Sequence, residues 1–471
     1  MEDLIDQTRP TFGSEQSFRC ARRHFLSGLA GFGRHTISGL LRTQNRHQQD
    51  WTADYRLYSR DRFDEDAVFG VVRRKVEATL APESPLVVAM DDSLLRKTGR
   101  KIHGVRYQRD PMSPPFHVNF VRGLRVLQLS AAVPQEGGAA RLVPVDFTHA
   151  VLPPKPPRTA SEEERQAYAK LRAARNINVI GRERLQHLRQ EMDRSGSAKR
   201  PLMVSVDGRF TNGTVLRAVP ERTVLIGRLR KDAVLHHLPE GQRERGRRRK
   251  YGLAAPTPEQ LLKDETVPWQ TIQAYACGKV HEFKLKRLGP LVARVDKAAQ
   301  PIQVVVIKPL GYRLTKGGKL CYRQPAFLLC TDPDLALEQL LQFFLWRWDI
   351  EVNFRDEKTI LKVGQAQVRT EASNQNAPAL AVAAYAMLLL ASIEAYGRNG
   401  APDRLHQAKW YQRVARQRAT TNELVNQLRI ELWSAALDPR HFRDFMSASP
   451  STQNSEKSDT SLATALFLST S

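Results

Sequence analysis

The chain contains 471 residues, and its 73 Lys and Arg against 49 Asp and Glu give a formal net charge of +24 at pH 7. Such an excess indicates either a polyanionic partner, with nucleic acid as the first candidate, or a merely basic surface. Four scattered cysteines exclude a disulfide framework, and neither they nor the histidines have the spacing of a zinc site. The length is typical of two to four domains.

The first 80 residues have the pattern of a helical N-terminal domain. Apolar residues recur at helical spacing over residues 14–29, a second short helix reaches Leu41, and a third begins at Asp64. This unit is interpreted either as a DNA-end-binding domain or as a packed bundle without a ligand. The N-terminus is acidic where a secretion signal would be basic, so export is not indicated and a cytoplasmic protein is expected.

After residue 80 the pattern changes to short strands. Two of these apolar strands end in an acid, the first at Asp91 and the fourth at Asp207. The order of strands and helices predicts an α/β fold with a ribonuclease H-like mixed sheet, formed by residues 81–229 and 325–397 as the catalytic domain. The predicted elements are strands at 86–90, 123–133, 142–147, 202–206 and 223–229 and one long helix at 161–192.

The remaining chain departs from this pattern. Residues 230–324 contain several short strands, and we expect a β-rich insertion that does not continue the sheet. A long helix at 334–361 follows, and the apolar segment 377–393 predicts a buried helix rather than a membrane span. Beyond it we expect a C-terminal helical region over 398–446 and a disordered tail over 447–471.

The segment FFLWRWDIEVNFRDEKTIL of the helix at 334–361 contains four acids, and helical geometry separates one of them from the other three. At about 100° per residue, Glu351 shares a narrow face with Phe344, Arg347, Arg355 and Lys358, whereas the other three acids point away. Cations beside a carboxylate suit a face that meets both a metal ion and phosphates. A solvated helix with intrahelical ion pairs would give the same pattern.

The sequence around these acids resembles the DDE transposases of the "insertion sequence four" superfamily. The family signature Tyr-Arg-Glu-Lys matches Arg347, Glu351 and Lys358, with Phe344 in the place of the tyrosine. The words MDDS, VDGR and LWRWDIEVNFRDEK occur in the family's order, and the likeness covers about residues 80–395. The resemblance implies the same ribonuclease H-like fold.

The resemblance also implies a catalytic triad of Asp91, Asp207 and Glu351 that binds two Mg²⁺ or Mn²⁺ ions. Asp92 is the alternative to Asp91. Successive side chains of a strand face opposite sides, so only one of the two should face the ions, and the family's pattern of Asp, any residue, then Ser favours Asp91 with Ser93 in the last place.

Basic and aromatic residues near the triad are candidates for DNA contacts. The resemblance places Arg347 and Lys358 near the cleaved phosphate and leaves Phe344 a ring for stacking. Arg355 shares their helical face, and Lys97 and Lys101 follow the first aspartate in a basic stretch that is interpreted as a DNA contact or as a surface loop. For the basic loop at 243–250 and for Trp269, packing or solvation competes with DNA binding.

The resulting hypothesis is a bacterial insertion-sequence transposase that cleaves double-stranded DNA at the element ends and joins it to target DNA. The expected partners are element ends and target DNA, with a homodimer in the DNA complex, a location in the bacterial nucleoid and no membrane. No phosphate-binding loop of the nucleotide-binding kind is present, so no nucleotide cofactor is expected. The alternatives are a nuclease without joining activity and a decayed or domesticated relative that only binds DNA.

Overall fold

A computed structural model describes residues 1–110, 113–114, 116–240, 249–293, 300–315, 317–400, 405 and 418–433. The predicted tail at 447–471, most of the basic loop at 243–250 and most of the predicted helical region at 398–446 lie outside these residues. The mixed α/β class expected from the sequence is confirmed, because a large sheet is combined with helices on the N-terminal and C-terminal sides.

The N-terminal residues form helices, as predicted. Ser14 caps the second helix by accepting the backbone N–H of Ser17, and Asp64 caps the fifth by accepting those of Asp66 and Ala67. Two helices of the five, Glu2–Asp6 and Thr52–Ser59, were not predicted. The helices are α1 (Glu2–Asp6), α2 (Glu15–Ala30), α3 (Ile37–Thr43), α4 (Thr52–Ser59) and α5 (Glu65–Thr79).

The next part of the chain supplies the centre of the sheet. The predicted single helix at 161–192 is two helices. The first ends at Ala174, and Asn176 caps the second, because its side chain accepts the backbone N–H groups of Asn178 and Val179. The elements are β1 (Leu86–Arg96), β2 (Arg106–Arg109), β3 (Phe120–Pro134), β4 (Ala140–His149), α6 (Glu162–Ala174), α7 (Ile177–Arg194), β5 (Leu202–Val206), α8 (Gly213–Leu216) and β6 (Thr223–Arg228).

The residues expected to form an insertion outside the sheet in fact extend it. Strand β11 pairs with β14, and β14 pairs with β6, so the segment adds strands to the central sheet. The elements are β7 (Leu235–His237), β8 (Ala254–Ala255), α9 (Pro258–Lys263), β9 (Gln270–Ala276), β10 (Lys279–Ala293), β11 (Ile302–Ile307), β12 (Gly311–Arg313), β13 (Leu320–Tyr322) and β14 (Ala326–Cys330).

Within the described residues, twelve strands form one sheet in the order β2-β3-β1-β5-β6-β14-β11-β10-β7-β8, with β4 beside β3 and β9 beside β10. Strands β1, β5 and β6 are parallel to one another, whereas β3 is antiparallel to both β1 and β4. The parallel strands are therefore the centre of the part that carries the two aspartates. The pairing of β1 with β5 ends at Met90 and Val206, and β1 is longer than the predicted strand at 86–90, because it continues past Asp91 to Arg96 while paired with β3.

In the described part of the chain, four further helices follow β14: α10 (Leu337–Trp346), α11 (Asp349–Thr359), α12 (Glu371–Tyr396) and α13 (Thr421–Trp433). Helix α12 packs against α2, α4, α5 and β4. By length and composition alone it could cross a membrane, but 72% of its most apolar window is buried inside the protein. The predicted buried helix at 377–393 is confirmed.

Candidate active site

The two predicted aspartates lie side by side at the carboxyl edge of the parallel strands. Strand β1 pairs in parallel with β5, and the last paired residues are Met90 and Val206, which directly precede Asp91 and Asp207. Asp207 follows its strand in a tight turn, in which one of its carboxylate oxygens accepts the backbone N–H of Arg209 at 2.9 Å. The strand pairing therefore brings together two acids that are more than a hundred positions apart in the chain.

Glu351 lies in the first turn of α11, after a tight turn between two helices. The predicted continuous helix at 334–361 is interrupted at Arg347 and Trp348, where the N–H groups of Ile350 and Glu351 bond to the carbonyls three residues earlier. The turn keeps Arg347 close to Glu351, with 3.7 Å between a guanidinium nitrogen and a carboxylate oxygen.

Arg347 connects the late helix to the sheet edge. Its guanidinium lies 3.5 Å from the carboxylate of Asp91 as well as 3.7 Å from that of Glu351. Its side chain is only 12% exposed, whereas that of Glu351 is 42% exposed. The sequence predicted Arg347 as a DNA contact; in this structure its charge is directed at the two predicted catalytic acids.

The acids of the site influence one another electrostatically. Burial first, and then the neighbouring carboxylate of Asp207, raise the pKa of Asp91 to about 7 against the opposing effect of Arg347. Burial also raises the pKa of Glu351, and Asp207 again contributes in the same direction. Asp207 is thus close enough to affect both of the other acids, although they belong to different elements.

This arrangement suits divalent cations bound by oxygen ligands. Carboxylates are the ligands that Mg²⁺ prefers, and negative charges crowded at a partly buried edge are relieved by a cation. Among the described residues, the three carboxylates are not a group whose donor atoms all lie within 4.8 Å of one another. The guanidinium of Arg347 lies between the carboxylates of Asp91 and Glu351, which are therefore held apart.

Asp92, the alternative to Asp91, is bound by two arginines. Arg125 donates to one of its oxygens at 2.5 Å, and Arg209 lies 3.2 Å from the other. Burial raises the pKa of Asp92, and these two guanidinium groups oppose that shift. Asp92 is therefore neutralised by the protein itself, which leaves Asp91 as the aspartate that faces Arg347. Neither arginine was predicted as part of the site, and only the word VDGR points to Arg209.

Three of the predicted DNA contacts lie around the late helices. Lys358 donates a hydrogen bond from Nζ to Ser93 on β1, and burial lowers its pKa. Phe344 is half-buried, with the guanidinium of Arg347 5.7 Å from its ring centroid. Arg355 is 65% exposed and forms an ion pair with Asp356. Lys358 and Phe344 thus adjoin the site, while Arg355 faces solvent.

The two predicted contacts on the basic stretch after β1 differ in exposure. Lys101 is exposed. Lys97 is only 3% exposed, and its ammonium donates to the backbone carbonyls of Gly364 and Ala366 at 2.6 and 2.7 Å. The prediction that Lys97 contacts DNA is wrong for this structure, because a loop far along the chain covers the side chain. Burial lowers its pKa to about 8.

Trp269 is half-buried against the core, and the ammonium of Lys286 lies 4.6 Å from its ring centroid. That surrounding favours the packed interpretation of this residue over base binding.

Comparison with known proteins places the chain in a family. No curated protein matches it. Residues 10–280 match the model of the DDE superfamily endonuclease family, which is more than half of the chain. The matched region contains Asp91 and Asp207 and ends before Glu351. This chain belongs to the DDE superfamily endonucleases.

Proposed function

We propose that this protein is a DNA transposase of a bacterial insertion sequence, which cleaves element ends and joins them to target DNA in the cytoplasm. The observation that supports it best is the arrangement of three acids from separate elements: Asp207 follows the strand that pairs with that of Asp91, and Arg347 lies within 3.7 Å of both Asp91 and Glu351. The sequence signature implies such a triad, and the family assignment supports it. The helical residues 1–80 and the strands added after β6 are proposed as its DNA-end-binding domain and insertion.

The connectivity supports a ribonuclease H-like catalytic domain. Three consecutive antiparallel strands, β1, β3 and β4, with the short β2 at the edge, are followed by two helices and then by β5 and β6 parallel to β1. That order places Asp91, in the middle of β1, beside the carboxyl end of β5, which Asp207 follows. The two aspartates of the triad are thereby neighbours without any adjustment of the loops.

In the proposed reaction, water or a 3′-hydroxyl attacks a DNA phosphate in line. Two Mg²⁺ or Mn²⁺ ions, when bound by Asp91, Asp207 and Glu351, would activate the attacking oxygen and stabilise the leaving oxygen. Arg347 orients two of these carboxylates, since it lies between Asp91 and Glu351. Lys358, tied to Ser93, adds positive charge beside the same edge, where a phosphate would be attracted.

A strand-transfer assay tests the proposal with the full chain, Mg²⁺ and a labelled plasmid that carries the DNA flanking the coding sequence. The Glu351→Gln variant should lose cleavage by at least about 100-fold, because even indirect supports of a metal site cost about 10- to 100-fold. Glu338→Gln is the matched control, since Glu338 is an exposed acid of α10. Equal cleavage by wild type and Glu351→Gln would overturn the catalytic assignment.

The products of the same assay separate the alternatives. Joined DNA supports a transposase, whereas cleavage without joined product indicates a nuclease that lacks strand transfer. Binding without cleavage, in the presence of either Mg²⁺ or Mn²⁺, indicates a relative that has lost catalysis.

A further inference from the structure

The turn that follows α11, at residues 360–366, packs directly on β1. The N–H group of Leu361 bonds to the carbonyl of Asp356 at 3.0 Å, so the turn continues from the last turn of the helix. Gly364 has a φ of +94°, and a Cβ built on it would lie 3.4 Å from the side chain of Leu95. That left-handed conformation favours glycine. The turn therefore lies against the strand in a position that its own backbone conformation helps to fix.

A buried lysine bonds this turn to the end of β1. Lys97 directly follows the strand, is 3% exposed, and donates from Nζ to the carbonyls of Gly364 and Ala366. Among the described residues no carboxylate pairs with this ammonium, and burial lowers its pKa to about 8. A buried charge is costly unless it is hydrogen-bonded, so the two carbonyls must stay in place to satisfy it. The ammonium thus holds the turn at a point six residues after Asp91.

The other side of the turn is bonded to the N-terminal helices. Lys362 donates from Nζ to the carbonyls of Phe32 and Gly33 at 2.9 and 2.6 Å. Nδ1 of His35 donates to the carbonyl of Leu361 at 2.6 Å. These bonds join the loop between α2 and α3 to the turn. If the bonds to β1 were lost, the turn would stay attached to the N-terminal helices and could move relative to the strand.

Helix α11 connects the position of this turn to the proposed metal site. Glu351 is in its first turn, and Lys358, which donates to Ser93 of β1, is in its last. At about 1.5 Å per residue, Glu351 and the turn lie about 15 Å apart on one helix. A shift or rotation of the turn on β1 therefore displaces the carboxylate of Glu351 relative to that of Asp91.

We propose that Lys97 is a positioning residue for the proposed metal site, because it bonds the turn after α11 to β1 and so fixes Glu351 relative to Asp91. The proposal rests on the proposed function, which assigns both acids to one pair of ions. Groups that orient metal ligands indirectly contribute about 10- to 100-fold in metal affinity or activity. The ammonium is directed into the protein, so its loss should weaken metal binding and turnover and leave DNA affinity unchanged.

The test compares the full chain with Lys97→Met, which removes the ammonium and keeps a long apolar side chain. Mn²⁺ is titrated while the unfolding temperature is measured, and the variant should need at least about 10-fold more Mn²⁺ for the same rise. Its kcat for cleavage should fall by about 10- to 100-fold, with KM for DNA unchanged. Lys286→Met is the matched control, because Lys286 is 1% exposed on β10 and also donates to backbone carbonyls.

A second pair of variants tests the turn if Lys97→Met does not fold. Gly364→Ala disturbs the turn and keeps the lysine, because alanine rarely adopts a φ of +94°. It should weaken Mn²⁺ binding in the same direction. Gly278→Ala is its control, since Gly278 has a φ of +88° between β9 and β10 and open space beside it.

Wild-type Mn²⁺ affinity and turnover in both Lys97→Met and Gly364→Ala would overturn the proposal. Equal losses in Lys97→Met and Lys286→Met would do the same, because they would reflect reduced stability alone. Failure of the proposed function looks different: Glu351→Gln would bind Mn²⁺ and cleave like wild type, and the positioning role would fall with it. If Glu351→Gln loses both properties while Lys97→Met keeps both, the metal site stands and the positioning role is wrong.

Discussion

Two polar clusters of this protein, one around Asp54 and one around Asp91, have surroundings that differ in kind. Between α2 and α4, Asp54 accepts hydrogen bonds from Cys20 at 3.3 Å and interacts with His24 at 2.8 Å, and His24 in turn bonds to Tyr58. At the sheet edge, Asp91 is instead crowded by the carboxylate of Asp207. The first cluster is bonded within itself, whereas the second brings like charges together.

The pKa directions express this difference. Burial alone would raise the pKa of Asp54, but the hydrogen bonds from His24 and Cys20 and the charge of Arg46 outweigh it, and the pKa is lowered. Nothing comparable outweighs burial at Asp91, whose pKa is raised to about 7. A carboxylate that accepts hydrogen bonds from the protein stabilises the fold. A carboxylate that is buried beside a like charge is available for a cationic ligand.

The largest expected effect comes from a variant that disrupts the cluster around Asp54. Asp54→Ala should lower the free energy of unfolding by about 4 kcal/mol, because it leaves the buried donors of Cys20 and His24 without their acceptor. Thermal unfolding measures the change, and Asp54→Asn should lose less because it keeps one acceptor oxygen. A variant as stable as wild type would show that the network carries no stability.

The second cluster should respond in the opposite direction. Asp91→Asn should stabilise the metal-free protein at pH 8 by about 3 kcal/mol, since the folded state prefers the protonated acid. A raised carboxyl pKa makes folding less favourable as pH rises from about 4 through about 7, so the gain should vanish at pH 4. Mg²⁺ should raise the unfolding temperature of wild type but not of Asp91→Asn. A destabilised variant at pH 8 would contradict the comparison.

The sequence predicted the aspartates of the second cluster and missed the first cluster entirely. Asp91 and Asp207 could be found because each directly follows an apolar run. The two runs pair as parallel strands, so the residues that follow them lie side by side. Cys20, His24 and Asp54 could not, because their donor atoms meet only after two helices pack, although all lie within 4.8 Å of one another. The periodicity of apolar residues predicts a helix or strand, but not which other element packs against it.

The same limit explains the errors at the site. Lys97 was read as exposed because its neighbours are basic, and the loop that covers it, at Gly364 and Ala366, lies more than 260 positions away. Residues 230–324 were correctly read as strands but placed outside the sheet, because the hydrogen-bond partner of β11 is set by tertiary structure. The face of the late helix was predicted with Glu351 beside Arg347, since that pair is local in sequence.

Glu357, another buried acid, sharpens the comparison, because its carboxylate has a single hydrogen-bond partner among the residues that the structure describes. Glu357 accepts a hydrogen bond from Gln128 at 2.9 Å, and burial raises its pKa to about 7. Glu357→Gln should stabilise the protein at pH 8 by about 2 kcal/mol, because it removes a buried charge. The cost of burying the new amide donors offsets part of that gain. The sign follows from the raised pKa, so the difference should fall as pH decreases from about 7 to about 4.5. Parallel unfolding curves at pH 5 and pH 8 test it, and a constant difference would contradict it.

The smallest expected effect separates two lysines of one basic stretch. Lys101→Ala should reduce the slope of log affinity for duplex DNA against log salt by about 0.9, because an exposed lysine releases one counterion when it meets a phosphate. Lys97→Met is the matched comparison: it should leave that slope unchanged, because its ammonium is bonded to the carbonyls of Gly364 and Ala366. Titrations at several salt concentrations provide both slopes. Equal reductions in the two variants would mean that the loop over Lys97 opens when DNA binds.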